Sequence, residues 1–150
     1  MNVRNLGLSI FAVASLIGTF EGVRHAAYLD PVGIPTACFG MTAGVELGQT
    51  YTQAECEEHL MIEVVNVQRE VRRRVAVEIT PNQLAAFTSF TYNVGVGNFE
   101  RSTLLVKLNQ GDVAGACDEL PRWVYAKGVK LPGLVARRAA EQELCLSDIA

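Results

Sequence analysis

Residues 5 to 20, NLGLSIFAVASLIGTF, contain no charged side chain, with Arg4 just before them and Glu21 immediately after. No other feature restricts the fold as much, because an uncharged run has few places to go. A helix that crosses a bilayer needs about 20 apolar residues, and this run has 16. A cleaved leader needs a small-residue cleavage site. Ala12-Val13-Ala14 could supply one, but a cut there leaves a very short apolar region. The third choice is a core helix, since Ile10, Val13, Leu16, Ile17 and Phe20 recur at helical spacing. The run is also rich in Gly, Ala and Ser, hence only weakly hydrophobic, and could enter a membrane transiently and later leave. A core helix is the first reading and a releasable anchor the second.

The rest of the 150-residue chain is globular in character. Hydrophobic residues make up 49% and charged residues 19%, enough apolar mass for one domain with a sizeable core. The net charge of −3 lacks the basic excess of a nucleic-acid binder. Charge is uneven, however: Arg122, Lys127, Lys130, Arg137 and Arg138 fall in one acid-free stretch. Such a stretch is either a solvated face or a polymer-binding rim. Cys38, Cys56, Cys117 and Cys145 include no C-x-x-C pair, and the histidines are only His25 and His59, so no metal site is expected. Four cysteines allow two disulfides in any of three connectivities, or four buried thiols in a reduced protein.

Local signals divide the chain further. Asp30-Pro31-Val32-Gly33 is turn chemistry, and residues 34–40 read as a short edge strand, which makes residues 21–50 a small hairpin or three-stranded lobe. Thr52-Gln53-Ala54-Glu55 is a capping box. Leu60, Val64, Val67, Val71 and Val75 continue it as one long amphipathic helix over 53–76. Thr80-Pro81-Asn82-Gln83 opens a buried helix containing Leu84, Phe87 and Tyr92, which ends across Asn93 to Gly97. Ser102, Asp112 and Pro132 begin further helices, the last running to about Leu146. The expected fold is α+β, mostly α: a small β lobe joined by a long helix to an all-helical lobe over 80–150.

Glu21 ends the first helix, Asp30 lies nine residues later on the turn, and Thr36 six further on the returning strand. A hairpin folded against the helix end can bring all three to one cleft. Glycoside hydrolysis needs a protonated acid on one side of the scissile bond and a group that holds water or stabilises positive charge on the other. Glu21, after an apolar run, suits the first role by partial burial. Asp30 suits the second, and the Thr36 hydroxyl can help hold the water. Taken singly, a Glu at a helix end is an ordinary solvated residue and an Asp before Pro an ordinary turn.

The segment FEGVRHAAYLDPVGIPTACFGMT (Phe20 to Thr42) resembles the catalytic segment of glycoside hydrolase family 24, the phage lysozymes, which carries Glu, Asp nine on and Thr six further. PNQLAAFTSFTYNVGVGNFERSTLL (Pro81 to Leu105) and RWVYAKGVKLPGLVARRAAEQELC (Arg122 to Cys145) resemble the family's buried helix and its carboxy-terminal region. The resemblance implies a two-lobed fold with the cleft between lobes. It also implies hydrolysis, with inversion, of the β-1,4 bond between N-acetylmuramic acid and N-acetylglucosamine of peptidoglycan. Glu21 is then the proton donor, with Asp30 and Thr36 placing the water. Phe99, Ser102, Thr103 and Arg137 become candidates for the substrate groove, whereas Trp123 reads as a core aromatic. Cys38 with Cys56 and Cys117 with Cys145 become the expected disulfides, as in members that act in the periplasm. Some of those members begin with a signal-anchor segment that leaves the membrane, and residues 5–20 look like a short version of it. Where the family commonly has Gly-Tyr-Gly-His-Thr, this chain has Cys38-Phe39-Gly40-Met41-Thr42. The lost His removes a lobe-stabilising polar contact more than it touches the chemistry.

A monomer without cofactor is expected, acting in the host periplasm after transient inner-membrane association, with cytoplasmic accumulation before release as the alternative. The competing functions are a lytic transglycosylase, which needs no water-holding Asp-Thr pair, and an inactive wall-binding or membrane-associated protein.

Overall fold

The computed structural model describes residues 3–149. The uncharged run is a helix, α1 (Val3–Glu21). It stops because Gly22 adopts the left-handed conformation (φ 66°), a common helix ending that costs glycine nothing. Glu21 is therefore the last helical residue. One stripe of α1, with Ser9, Val13 and Ile17, is buried. The opposite stripe faces solvent and still carries Leu8 and Phe11, which are 57% and 70% exposed.

Strands β1 (Arg24–Leu29) and β2 (Pro35–Cys38) form an antiparallel hairpin, with Tyr28 opposite Thr36. The β lobe is thus two-stranded, supplemented by the isolated bridges Ala26 to Thr50 and Ala37 to Met41. β2 ends where Cys38 and Gly40 turn left-handed (φ 57° and 90°). The chain curls back there, and Ala37 and Met41 exchange both backbone hydrogen bonds.

The long helix α2 (Gln53–Arg74) begins at the expected capping box, Thr52 and Glu55 each satisfying the other's backbone N–H. Arg72, Arg73 and Arg74 fill its last turn, where cations complement the negative end of the helix dipole. It stops two residues before the sequence pattern does, with Val75 extended (ψ 119°). Helix α3 (Pro81–Val94) repeats the capping box with Thr80 and Gln83, and Pro81 occupies its first turn. It is buried almost all round, from Gln83 to Thr91, because α1, α2 and α7 surround it. The α3 hydroxyls are satisfied internally: Thr88 and Thr91 donate to the carbonyls of Leu84 and Phe87, one turn back.

Short helices α4 (Val96–Glu100), α5 (Thr103–Asn109) and α6 (Val113–Glu119) follow, the first of them unexpected from the sequence. A 3-10 turn at Leu120–Arg122 leads to a second hairpin, β3 (Tyr125–Ala126) and β4 (Val129–Lys130), also unexpected. Helix α7 (Pro132–Leu146) closes the fold.

Two core clusters result. One, around Phe87, Phe90, Phe99 and Leu104, fills the helical lobe. The other, around Val13, Ile17, Phe39 and Leu60, lies where α1, the β lobe and α2 meet. The expected pairs Cys38–Cys56 and Cys117–Cys145 are both disulfides, one in each cluster.

Candidate active site

Glu21 opens into a cleft of about 420 Å³ between the lobes. The curl after β2, residues 39–43, forms one wall, with Met41 at the position of the family's His. His59, Glu63 and Val67 of α2 form the floor, and Tyr92 and Asn93 of α3 the far side. The Tyr92 hydroxyl donates to the Phe39 carbonyl (2.9 Å) and so ties the helical lobe to the β lobe. Burial, with the charges of Glu21 and Glu63, pushes this phenol up to about 12.

The side chain of Glu21 is 29% exposed, and what meets it is a cation rather than an apolar pocket. Arg137, only 3% exposed, donates from Nη1 to Glu21 Oε1 at 2.5 Å. Its Nε donates to Glu141 Oε1 (3.3 Å) and its Nη2 to the Ser89 carbonyl (3.3 Å). Arg138, fully buried, also reaches Glu141 and lies 5.0 Å from the Phe90 ring centre. The acid-free stretch is thus no continuous rim: Arg137 and Arg138 point into the core, and Arg122 pairs with Glu119 at 3.5 Å. Lys127 and Lys130 remain exposed on the β3–β4 hairpin.

Asp30 and Thr36 both sit on the first hairpin. Asp30 Oδ1 accepts from the backbone N–H of Val32 (2.9 Å) and of Ile34 (2.8 Å), which fixes the carboxylate and leaves Oδ2 without a protein partner among the described residues. Thr36 is buried, and its hydroxyl donates to the Ile34 carbonyl (2.9 Å). Among the described residues, neither hydrogen-bonds to Glu21.

The groove candidates fare differently. Arg137 is at the site. Phe99 is wholly enclosed in the helical core, and Ser102 is buried as the cap of α5, accepting from Leu105 N–H and donating to the Phe99 carbonyl. Thr103 is exposed outside the cleft lining. Trp123 packs edge-on against Phe90, ring centres 5.2 Å apart, as a core aromatic does. His59, Glu63 and Tyr92, none of which the sequence reading placed in the groove, line the cleft. Among the described residues no cluster of metal-ligating side chains occurs.

A search of protein families matches the phage lysozyme model to residues 18–141. The chain belongs to the phage lysozyme family. This phage lysozyme is 45% identical over 143 residues to the SAR-endolysin of Bacteriophage PS119, covering 90% of this chain and 86% of that protein. Among solved structures it is similar to the muramidase domain of SpmX from Asticaccaulis excentricus, with 30% identity, a TM-score of 0.85, and coverage of 90% of this chain and 95% of that one. The fold also matches the active form of the P1 phage endolysin Lyz, with 23% identity, a TM-score of 0.84, and coverage of 100% and 96%. The secreted inactive form of Lyz scores 0.64 at the same identity, covering 93% and 96%. The phage lysozyme is accordingly a glycosidase whose substrate is peptidoglycan.

Proposed function

We propose that this enzyme hydrolyses the β-1,4 bond between N-acetylmuramic acid and N-acetylglucosamine, with Glu21 as the general acid. The observation that carries the reading is Glu21 at the end of α1, projecting into the interlobe cleft with Arg137 on its carboxylate. Glu21 gives its proton to the leaving glycosidic oxygen as that bond breaks. A water held by Asp30 Oδ2 and the Thr36 hydroxyl attacks the anomeric carbon from the opposite face and passes its proton to Asp30. This geometry inverts the anomeric centre. Arg137 stabilises the Glu21 carboxylate left behind, the kind of charge support that a preorganised cleft supplies best.

The same helix serves as a releasable membrane anchor, after which the enzyme acts in the host periplasm. The solvent face of α1 supports this: it exposes Leu8 and Phe11 and carries no charge between Arg4 and Glu21. Among the described residues no helix is long and apolar enough to cross a membrane. While α1 lies in the membrane, Glu21 is withheld from the cleft, and release assembles the site.

The test is clearing of permeabilised Gram-negative cells by wild type and by Glu21→Gln. Wild type should clear and Glu21→Gln should not, and the products should carry reducing ends. Equal clearing by both would remove Glu21 from the acid role, and anhydro products would make the enzyme a transglycosylase.

A further inference from the structure

Behind the Glu21–Arg137 pair lies a second carboxylate that no step of hydrolysis uses. Glu141 is fully buried on α7, one turn from Arg137. A buried carboxylate is costly unless its oxygens are met; Oε1 is met by hydrogen bonds, while Oε2 has an ion pair but no hydrogen bond of good geometry. Glu141 Oε1 accepts from Ser89 Oγ of α3 (2.7 Å), from Arg137 Nε (3.3 Å) and from Arg138 Nη2 (3.1 Å). Oε2 lies 2.7 Å from Arg138 Nε. Burial pushes the Glu141 carboxyl up while the two guanidiniums oppose that shift.

A guanidinium is a rigid planar fork, so fixing one edge fixes the other. Glu141 and the Ser89 carbonyl grip Arg137 through Nε and Nη2, and this orients Nη1 at the cleft. Arg138 balances the second negative charge; it makes no hydrogen bond or ion pair to Glu21, whose charge reaches it only through space. The other titratable groups facing Glu21 are Tyr92 on α3 and His59 and Glu63 on α2. None of these holds Arg137.

We propose that Glu141 is a positioning residue for the proton donor: it sets the plane and reach of Arg137, and through Arg137 the place of the Glu21 carboxylate. The inference rests on the reading of Glu21 as the acid. A misplacement of about 1 Å can cost on the order of a hundredfold in rate, so a loosened Arg137 appears in kcat and leaves substrate binding alone.

Two variants test it on solubilised glycan strands, each checked by thermal melting. Glu141→Asp keeps the charge and withdraws the carboxylate by one methylene. Glu141→Gln combined with Arg138→Met removes one charge of each sign, so the core stays neutral. For both, the expected result is a folded protein with kcat lowered about tenfold or more and KM within about twofold of wild type. Wild-type kcat in either folded variant, a loss confined to KM, or loss of the fold in both would overturn the proposal and leave Glu141 a structural residue. Glu21→Gln, run alongside, separates the two levels. If it retains activity, the acid assignment fails and this inference with it. If it is dead while the folded Glu141 variants run at full rate, only the positioning role is lost.

Discussion

Tyr92 joins chemistry and stability in one side chain. Its phenol stays neutral up to about 12 because it is buried beside two carboxylates. A phenol in the unfolded chain titrates near 10. A raised folded value means that the stability it contributes is fully present below about pH 10 and is lost as pH rises toward 12. Tyr92→Phe removes the hydrogen bond to Phe39 and should cost about 1 kcal/mol at neutral pH. The gap in denaturant midpoint between the two proteins should narrow above pH 10, and a gap that stays constant would refute the assignment. Single residues were unevenly legible in the sequence. Glu21, Asp30 and Thr36 could be named because a short local spacing carries them. Phe99 packs in the core and Ser102 caps α5, and an apolar ring and a small hydroxyl look alike in a string whether they line a groove or pack and cap a helix. Arg137 was named as a groove candidate, but its partner Glu141 was not. Nothing in sequence separates an i,i+4 ion pair on a surface from one in a core.

Among the elements, helices that open on a cap, a proline or a long apolar run were readable, and the short α4 was not. Thr52 and Thr80 announced α2 and α3, whereas α4 starts from Gly95 with no side-chain cap. The β3–β4 hairpin escaped because its tight turn places Lys127, rather than an Asn or Asp, left-handed before Gly128 (φ 50° and 77°). The cleft floor was recoverable in principle. On α2 the buried positions include Leu60 and Val64, so His59 and Glu63, each one residue back, must flank the core stripe on a shared face. The disulfides act at this scale too. Cys38–Cys56 pins β2 to α2 across 18 residues, and Cys117–Cys145 pins α6 to α7 across 28. Replacing either pair by alanines should cost about 3 kcal/mol, read from denaturant midpoints. The Cys38–Cys56 replacement should also depress lysis more, because β2 carries Thr36; equal lysis by the two variants would show that the β lobe is held well enough without its staple.

For the whole molecule, the open question in the sequence was whether residues 5–20 pack or anchor, and in the fold one stripe of α1 packs while the other stays exposed. Val13 and Ile17 serve the core, while Leu8 and Phe11 do nothing for it. Phe11→Asp should therefore fold with a stability within about 0.5 kcal/mol of wild type, yet leave the membrane fraction of expressing cells. A variant that still sediments with membranes would end the anchor reading. The placement of the two staples has a further consequence. Each disulfide lies inside one core cluster, and neither bridges the cleft. A peptidoglycan strand is a long thread cross-linked into a net, with no free end on offer, so an enzyme that cuts it must admit it sideways. Stapling each jaw internally, while the Tyr92–Phe39 hydrogen bond rather than a covalent bond joins them, leaves the mouth closed by a clasp that can be undone.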